Sequence, residues 1–578
     1  MAAPEKLAEL FDRHTIAGNH AESDYFTLIK EIIKEREKGT GGCQQVLNKA
    51  YDLVHDEIVT NCNPPLQEIT FGTSGWRGQL GKDIYARSVA AVTTAIVQIY
   101  EKVDEEEGLA ALLDVESFAA AKKRGCVLGF DNRFGGSLLA SHVVAVLLGA
   151  GFLVYYAGES TTGVLSAAVL KNKAAFSINL TPSHNPLDYG GYKFNAADGG
   201  PAEAAITAQI TANARALIAA GLKKDFNEHI SEDIFNHSNV KRFDSLSTWR
   251  NLVHKNYTMH GLSLDASVTE FGKRDDIVIV IDCVHGASRL HIQKLFDPDT
   301  KAKLIVLRGD GDVTFGGVSP EPSSENMQGV VEVIKESKEK FAIGAIIDPD
   351  GDRIRFTDGN IEISMNQFGA MAYHFLHEYK EKKGMVAKTV ATSNLANSLS
   401  SAFGEDLFEP AVGFKNFKPV MGKALVCFEE SDGITVIGHT PEKDAYIGLL
   451  TALEMVLSTN MNLGDYLLKI EEEFGEFYPE RDGIKVQIQG DPLLHVLDKL
   501  SKYGVGTQVK IGKDLRTINE LITIDGRKMV FDDGSWLMIR PSGTEPKVRF
   551  YVESRTPEGT QDLVVAAKAM LIEIGLDV

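Results

Sequence analysis

Three times along this 578-residue chain a buried strand gives way to a loop, a helix and another strand, and that rhythm limits the fold more than any other feature. Cys126-Val-Leu-Gly-Phe130 reads as a short strand, residues 131–137 as a loop, 138–148 as a helix and Phe152-Leu-Val-Tyr-Tyr156 as the next strand. The pattern restarts at Ile277-Val-Ile-Val-Ile-Asp282 and again near Lys388-Thr-Val-Ala-Thr392. Strands alternating with helices build open α/β sheets, so three related α/β units are expected. A helical stretch, residues 201–262, separates the first two. Past Arg481 the texture becomes α+β, with strands at Gly483-Ile-Lys-Val-Gln-Ile488, Lys528-Met-Val-Phe531, Trp536-Leu-Met-Ile539 and Val548-Arg-Phe-Tyr-Val552, then an amphipathic helix. Ahead of all this, Tyr25-Phe-Thr-Leu-Ile-Lys-Glu-Ile-Ile has helical spacing and predicts a helical extension ending near Asn63-Pro64-Pro65. A chain this long exceeds what one core can serve, so several domains are expected.

With 60 Lys and Arg against 80 Asp and Glu, the net charge of −20 repels polyanions, which argues against a nucleic-acid partner. A small anionic substrate stays open, provided a few Arg and Lys residues reverse the field inside a cleft. Hydrophobic residues at 44% and charged residues at 24% are those of a globular protein with real cores. Cys43, Cys62, Cys126, Cys283 and Cys427 are odd in number and never spaced as C-x-x-C, which disfavours disulfides and zinc and fits a reducing compartment. The N-terminus lacks the basic-then-apolar order of a secretory signal, so a cytoplasmic location is expected. Residues 138–157 are apolar enough for a membrane span, but Ser141, His142 and the Gly149-Ala-Gly151 break favour a buried helix, a turn and a strand.

Five segments could carry chemistry. In Ala174-Ala-Phe-Ser-Ile-Asn-Leu-Thr-Pro-Ser-His-Asn-Pro186 a strand runs into a loop pinned by two prolines, holding Ser183 and His184 at a strand's C-terminal end, where α/β sheets place ligands. Ser183 is a turn-former or a nucleophile; no Gly-x-Ser-x-Gly elbow supports a hydrolase triad. In Phe341-Ala-Ile-Gly-Ala-Ile-Ile-Asp-Pro-Asp-Gly-Asp-Arg353, Asp348, Asp350 and Asp352 alternate after a buried strand and point to one side. Three mutually repelling carboxylates call for a cation, and hard oxygen ligands suit magnesium. The segment fails the calcium-loop template, with Arg353 at its sixth position and Gly359 at its twelfth. Phe428-Glu-Glu-Ser-Asp-Gly433, leading to His439-Thr-Pro-Glu-Lys-Asp444, offers groups for sugar hydroxyls, or is an acidic turn. Arg540-Pro-Ser-Gly-Thr-Glu-Pro546 offers a guanidinium fork, hydroxyls and a glycine N–H for an oxyanion. Phe71-Gly-Thr-Ser-Gly-Trp-Arg-Gly78 places Ser74 and Arg77 on a flexible loop. His374 and His377 read as core or surface histidines, and Gly149-Ala-Gly151 is no dinucleotide fingerprint.

In this order the five segments resemble the α-D-phosphohexomutase superfamily over residues 66–578, through Thr-Pro-Ser-His-Asn-Pro, Asp-Pro-Asp-Gly-Asp-Arg, Glu-Glu-Ser and Arg-Pro-Ser-Gly-Thr-Glu-Pro. The resemblance implies three α/β domains and a smaller α+β domain around a central cleft. The expected divisions are a helical extension over 1–65, then domains over 66–262, 263–384, 385–480 and 481–578. It also implies a phosphorylated Ser183, and magnesium held by Asp348, Asp350, Asp352 and the phosphoserine. Lys193 and His439 would move protons, and Arg77 and Arg353 would steady the phosphoserine. Glu429 and Ser431 would contact sugar hydroxyls, while Arg540, Ser542, Gly543 and Thr544 would hold the phosphate that is not being transferred. Thr73, Ser74, His184, Lys443 and Gly413, the last in the specificity loop Val412-Gly-Phe-Lys415, complete the expected substrate contacts. The implied activity is interconversion of glucose 1-phosphate and glucose 6-phosphate by a monomer or homodimer, with catalytic hexose 1,6-bisphosphate as activator. Mannose phosphate is the nearest alternative substrate; pentose and glucosamine phosphates follow, and a non-catalytic sugar-phosphate binder comes last. The first 65 residues, the charged stretch 101–123 and Asp432, where many relatives carry a small residue, depart from the pattern.

Overall fold

The computed structural model describes residues 3–72, 75–221, 230–296, 303–488, 490–542 and 547–577. Among these residues four sheets follow one another along the chain, three mostly parallel and one antiparallel.

The first sheet runs β1 (Trp76–Gln79), β5 (Tyr189–Asn195), β4 (Phe176–Leu180), β2 (Cys126–Phe130), β3 (Val154–Glu159) and β6 (Val240–Arg242). β4, β2, β3 and β6 are parallel, while β5 turns back antiparallel on β4 and carries β1. The second sheet is β11 (Glu362–Ile363), β10 (Ile354–Thr357), β9 (Phe341–Ile347), β7 (Ile277–Asp282) and β8 (Lys303–Leu307), with β9, β7 and β8 parallel and β10 antiparallel to β9. The third, β13 (Leu407–Phe408), β12 (Val386–Lys388), β14 (Val426–Glu429) and β15 (Gly433–Val436), repeats the plan, because β15 turns back on β14. Strands covered on both faces carry continuous apolar runs, and β7 and β9 are buried at every position.

These three sheets share a device. In each, a parallel strand ends in a short connection and the next strand returns antiparallel beside it: β4 to β5, β9 to β10, β14 to β15. Ser183, the three aspartates and Ser431 lie on those three connections, and Glu429 ends the strand that leads into the third.

The fourth sheet is antiparallel throughout: β16 (Tyr478–Lys485), β21 (Lys547–Ser554), β20 (Trp536–Pro541), β19 (Arg527–Phe531), β18 (Asp514–Ile522) and β17 (Gln508–Ile511). It packs under the helix Pro557–Glu573 around a core of its own. The N-terminal extension forms α1 (Ala3–His14), α2 (Tyr25–Glu37) and α3 (Cys43–Thr60). Its Phe26, Ile29, Val54 and Ile58 belong to the same core as Ile84, Val89 and Leu139 of the first domain, so the extension is part of that domain's body.

Several local expectations met their match. The apolar stretch 138–157 is covered by the helix Gly136–Gly149 and β3, and no helix among the described residues is long and apolar enough to cross a membrane. His374 is a buried core residue bonded to the Tyr466 hydroxyl, and His377 stacks on Phe403. Others did not: Arg77 lies in β1, paired with Gly191 of β5, and not on a flexible loop. The stretch 201–262 also contains a strand, β6.

Candidate active site

Ser183 sits where β4 leaves its sheet, in a left-handed backbone conformation (φ 58°) that a serine adopts only under constraint. Thr181 supplies one constraint, its hydroxyl accepting the Ser183 N–H at 2.8 Å. The returning strand passes so close beneath that a Cβ at Gly191 would lie 2.3 Å from the Thr181 carbonyl oxygen, which accounts for the glycines in Tyr-Gly-Gly-Tyr.

Across a domain boundary, Ser183 Oγ donates to Asp348 Oδ2 at 2.7 Å, and both residues are fully buried. Asp348 Oδ1 accepts the backbone N–H groups of Asp352 (3.1 Å) and Arg353 (3.0 Å), which folds the aspartate turn over itself. Gly351 makes the turn (φ 65°) and abuts the first domain, where a Cβ would come within 2.6 Å of Thr161. Thr162 bonds Asp350 through its N–H to the carbonyl (2.8 Å) and its hydroxyl to the carboxylate (2.9 Å). From the third domain, Ala445 N–H reaches the Gly351 carbonyl at 3.0 Å. The aspartate turn is thereby a shared part of three domains.

Lys193, on β5, donates to Asp350 at 2.5 Å and to Asp352 at 2.7 Å. Burial works against its charge, but Asp350, Asp352 and Glu442 outweigh that and raise its pKa above the ordinary lysine value. Asp348 is pushed well up, by burial and then by the neighbouring Asp350 and Asp352. Asp352 moves the other way, because Lys193, Lys443 and Arg353 together overcome its burial. Lys443 joins the second and third connections, 3.4 Å from Asp352 and 3.5 Å from Glu429. Beside Ser183, loss of hydration and the guanidinium groups of Arg353 and Arg77 push the His184 pKa well below its usual value. Arg77 donates to the Asn185 side chain at 2.8 Å.

The three carboxylates each present an oxygen within 4.8 Å of the others, and Asp350 Oδ1 and Asp352 Oδ1 have no hydrogen-bond partner. Buried carboxylate oxygens are not left orphaned without reason. A small hard cation fits the donor set, with Asp348, Asp350 and Asp352 to hold it and the Ser183 oxygen alongside.

Other predicted residues fall around this centre. Phe414 and Lys415, next to Gly413, line one cavity with Lys193, Asp352, Glu442 and Lys443. Arg540 lies near the end of β20 and pairs with Asp525 at 3.0 Å, and Asp525 accepts the Val412 N–H, tying the fourth domain to that loop. Ser542 N–H bonds the Lys547 carbonyl at 2.8 Å. Thr73, Ser74, Gly543 and Thr544 lie outside the described residues. His439 bonds Asp444 at 2.7 Å and packs edge-on against Trp249, its side chain wholly buried. Asp432 takes φ 70° and is clamped by Arg355 at 2.8 Å, so a small residue is replaced here by an ion pair between second and third domains.

Sequence reasoning missed Asp131, Arg133, Thr162 and Glu442, all of which reach this region. Asp131 and Arg133 follow β2 at its C-terminal end, the position that drew attention to Ser183, and that signal was available.

A hydroxyl held against a candidate cation site suits the transfer of a phosphoryl group. Family models of phosphoglucomutase/phosphomannomutase match four successive stretches: alpha/beta/alpha domain I over residues 68–219, domain II over 255–361, domain III over 364–474 and the C-terminal domain over 497–569. The chain belongs to this family of phosphohexomutases, isomerases that work by phosphoryl transfer. It is 24% identical to the phosphoglucomutase/phosphomannomutase of Thermococcus kodakarensis, over 87% of this chain and 98% of that one. To the probable phosphoglucosamine mutase of Methanosphaera stadtmanae it is 26% identical, over 84% and 95%. The open form of Paramecium pp63/parafusin, a phosphoglucomutase, shares the fold with a TM-score of 0.67 at 21% identity, covering 89% of this chain and 95% of that one.

Proposed function

We propose that the chain interconverts glucose 1-phosphate and glucose 6-phosphate through phosphoserine 183 and a bisphosphorylated sugar, with mannose phosphates as the nearest alternative substrate. The observation that carries this reading is the 2.7 Å contact of Ser183 Oγ with Asp348 inside a buried carboxylate cluster. Magnesium held by Asp348, Asp350 and Asp352 would neutralise charge on the transferring group.

The chain's own residues account for the rest. Phosphoserine 183 gives its phosphoryl group to a free sugar hydroxyl: the bond from phosphorus to Ser183 Oγ breaks and one to the sugar oxygen forms. The sugar hydroxyl gives up its proton as the new bond forms and Ser183 Oγ gains one as its bond breaks, so the step is proton-neutral overall; the hydroxyl proton of resting Ser183 is the one it donates to Asp348. The sugar turns end for end and returns its other phosphate to Ser183. Lys193 is held cationic by its two carboxylates, which suits it to stabilise the transferring charge more than to release a proton. His439, bonded to Asp444, is better placed to hold the third domain against Trp249 than to reach the sugar. Arg540 and Ser542 would hold the phosphate not in transfer, and Glu429, Ser431, Gly413 and Lys443 would read the sugar. The burial of Ser183 favours a mutase, which must keep water from a phosphoserine, over a phosphatase. We place the protein in the cytoplasm, as a monomer or homodimer, with hexose 1,6-bisphosphate as its activator.

The test compares turnover of glucose, mannose and glucosamine 1-phosphates with a trace of bisphosphate, alongside release of inorganic phosphate. Glucose 1-phosphate should be isomerised fastest, without phosphate release. Ser183→Ala should abolish turnover; a variant of near wild-type rate would end this reading.

A further inference from the structure

Ser183 stays in its left-handed conformation, which costs about 1–2 kcal/mol for an L-residue, only if its surroundings over-determine it. The hydroxyl of Thr181 is one restraint, and the strongest other comes from a residue fifty positions upstream. Arg133 is buried, and its guanidinium donates to the carbonyl oxygens of Ser183 (2.6 Å), Pro186 (2.6 Å) and Asn185 (2.5 Å). One rigid fork thus grips three carbonyls of the catalytic loop, a geometry lysine cannot reproduce. Asp131 fixes the fork from behind, accepting the Arg133 N–H at 3.1 Å and facing its Nε at 3.3 Å. The same carboxylate accepts the Thr181 hydroxyl at 2.7 Å, closing a ring from Asp131 through Thr181 to the Ser183 N–H.

The seat beneath this fork comes from elsewhere in the chain. The Arg133 guanidinium lies 4.9 Å above the ring of Phe315, a fully buried residue of the second domain. Phe315 shares its core with Ile29, Ile33 and Ile58 of the N-terminal helices. Neighbouring bonds fasten the same corner: Arg36 to the Thr314 hydroxyl at 3.1 Å, Tyr51 against Phe134 with ring centres 4.6 Å apart, and Lys30 to Asp188 of the catalytic loop at 2.9 Å.

We propose that Arg133 is the positioning residue of Ser183, and that α2 and α3, through Phe315, form the seat that holds it. This rests on Ser183 being the reacting residue. Arg133 bonds the loop's backbone carbonyls and not the Ser183 hydroxyl, so on this proposal its removal misplaces the hydroxyl without weakening substrate binding. A displacement on the order of an ångström costs about 100-fold in rate.

The test uses the full chain with Arg133→Gln, Arg133→Lys and Phe315→Leu, each checked for folding by its melting transition. Two readouts are taken: kcat and KM for glucose 1-phosphate, and amide hydrogen exchange of residues 181–189 without substrate. Arg133→Gln should lower kcat about 100-fold with KM within about twofold, and speed exchange in that segment about tenfold. Arg133→Lys should fall between it and wild type, and Phe315→Leu should lower kcat about threefold at unchanged KM. A folded Arg133→Gln with wild-type kcat and protection, or a loss confined to KM, overturns the proposal. If the Gln variant does not fold, Arg133→Lys decides, and wild-type values for it overturn the proposal equally. A Phe315→Leu variant at wild-type rate overturns the seat. Should wild type itself lack mutase turnover, the functional reading fails while exchange still decides the role of Arg133.

Discussion

Replacing Lys193 by methionine keeps the stem and removes the charge between Asp350 and Asp352. The ammonium lies 2.5 and 2.7 Å from those carboxylates, all three groups being almost wholly buried. Breaking such a pair by deleting one partner costs about 3–5 kcal/mol, because the surviving charge stays buried and unpaired. Lys443, 3.4 Å from Asp352, is the cation left within ion-pair reach on the third-domain side. At about 2–4 °C per kcal/mol for a domain of this size, the first melting transition should fall by roughly 6–20 °C in a chelator. Adding millimolar magnesium should return at least half of that loss, since a cation at the aspartates replaces the missing charge; wild type should gain less. Calorimetry with and without magnesium measures both. Equal losses in the two conditions would show that Lys193 and the cation do not share carboxylates, and a loss under about 1 kcal/mol would show that the pair is not buried as described.

Gly351→Ala should slow turnover and cost about 2 kcal/mol or more, since a left-handed alanine is strained and its Cβ would meet Thr161 at 2.6 Å; unchanged kcat and melting would contradict the shared-turn geometry. Three buried histidines should each weaken the protein in acid. Burial lowers the pKa of His260 to about 3, and of His291 and His374 to about 4. Below the ordinary value of about 6.5 the unfolded chain takes up protons that these side chains refuse in the folded chain, so each costs about 1.4 kcal/mol of stability per unit as pH falls between roughly 6 and 4.5. Asp131 and Glu471, whose carboxyls burial raises to about 6 and about 7, act in the opposite direction. Replacing His374 by Phe should therefore change the slope of unfolding free energy against pH by about 1.4 kcal/mol per unit over that range, and a variant with the wild-type slope would refute the assignment.

The segments that disclosed the site did so because their chemistry is written in adjacent residues. Prolines 182 and 186 announce a rigid loop, and aspartates alternating after an apolar strand announce a one-sided cluster, whatever lies around them. The encounter of Ser183 with Asp348 is different in kind, joining positions 165 apart, and rested on pattern until the coordinates placed them at 2.7 Å. Arg133 could be flagged from its place after β2, but its grip on the loop could not, because there it bonds backbone carbonyls, which leave no trace in side-chain identity. Arg77 was misplaced because glycines on both sides read as a loop, whereas they admit close neighbours: a Cβ at Gly75 would lie 2.5 Å from the Tyr192 carbonyl oxygen of β5, and one at Gly78 would strike Asp83. β17 and β18, rich in polar and exposed positions, show little of the apolar run that marks the buried strands.

Ser183, the aspartate turn and the Glu429-Glu-Ser segment sit at matching places on three copies of one architectural plan, yet the copies are wired to one another. Lys443 reaches both Asp352 and Glu429, Arg355 clamps Asp432, and Ser183 bonds Asp348. Substitutions around residues 429–432 should therefore be felt at the aspartates, and paired changes at two of these connections should depart from additivity. Repetition of a plan here does not bring independence of its parts.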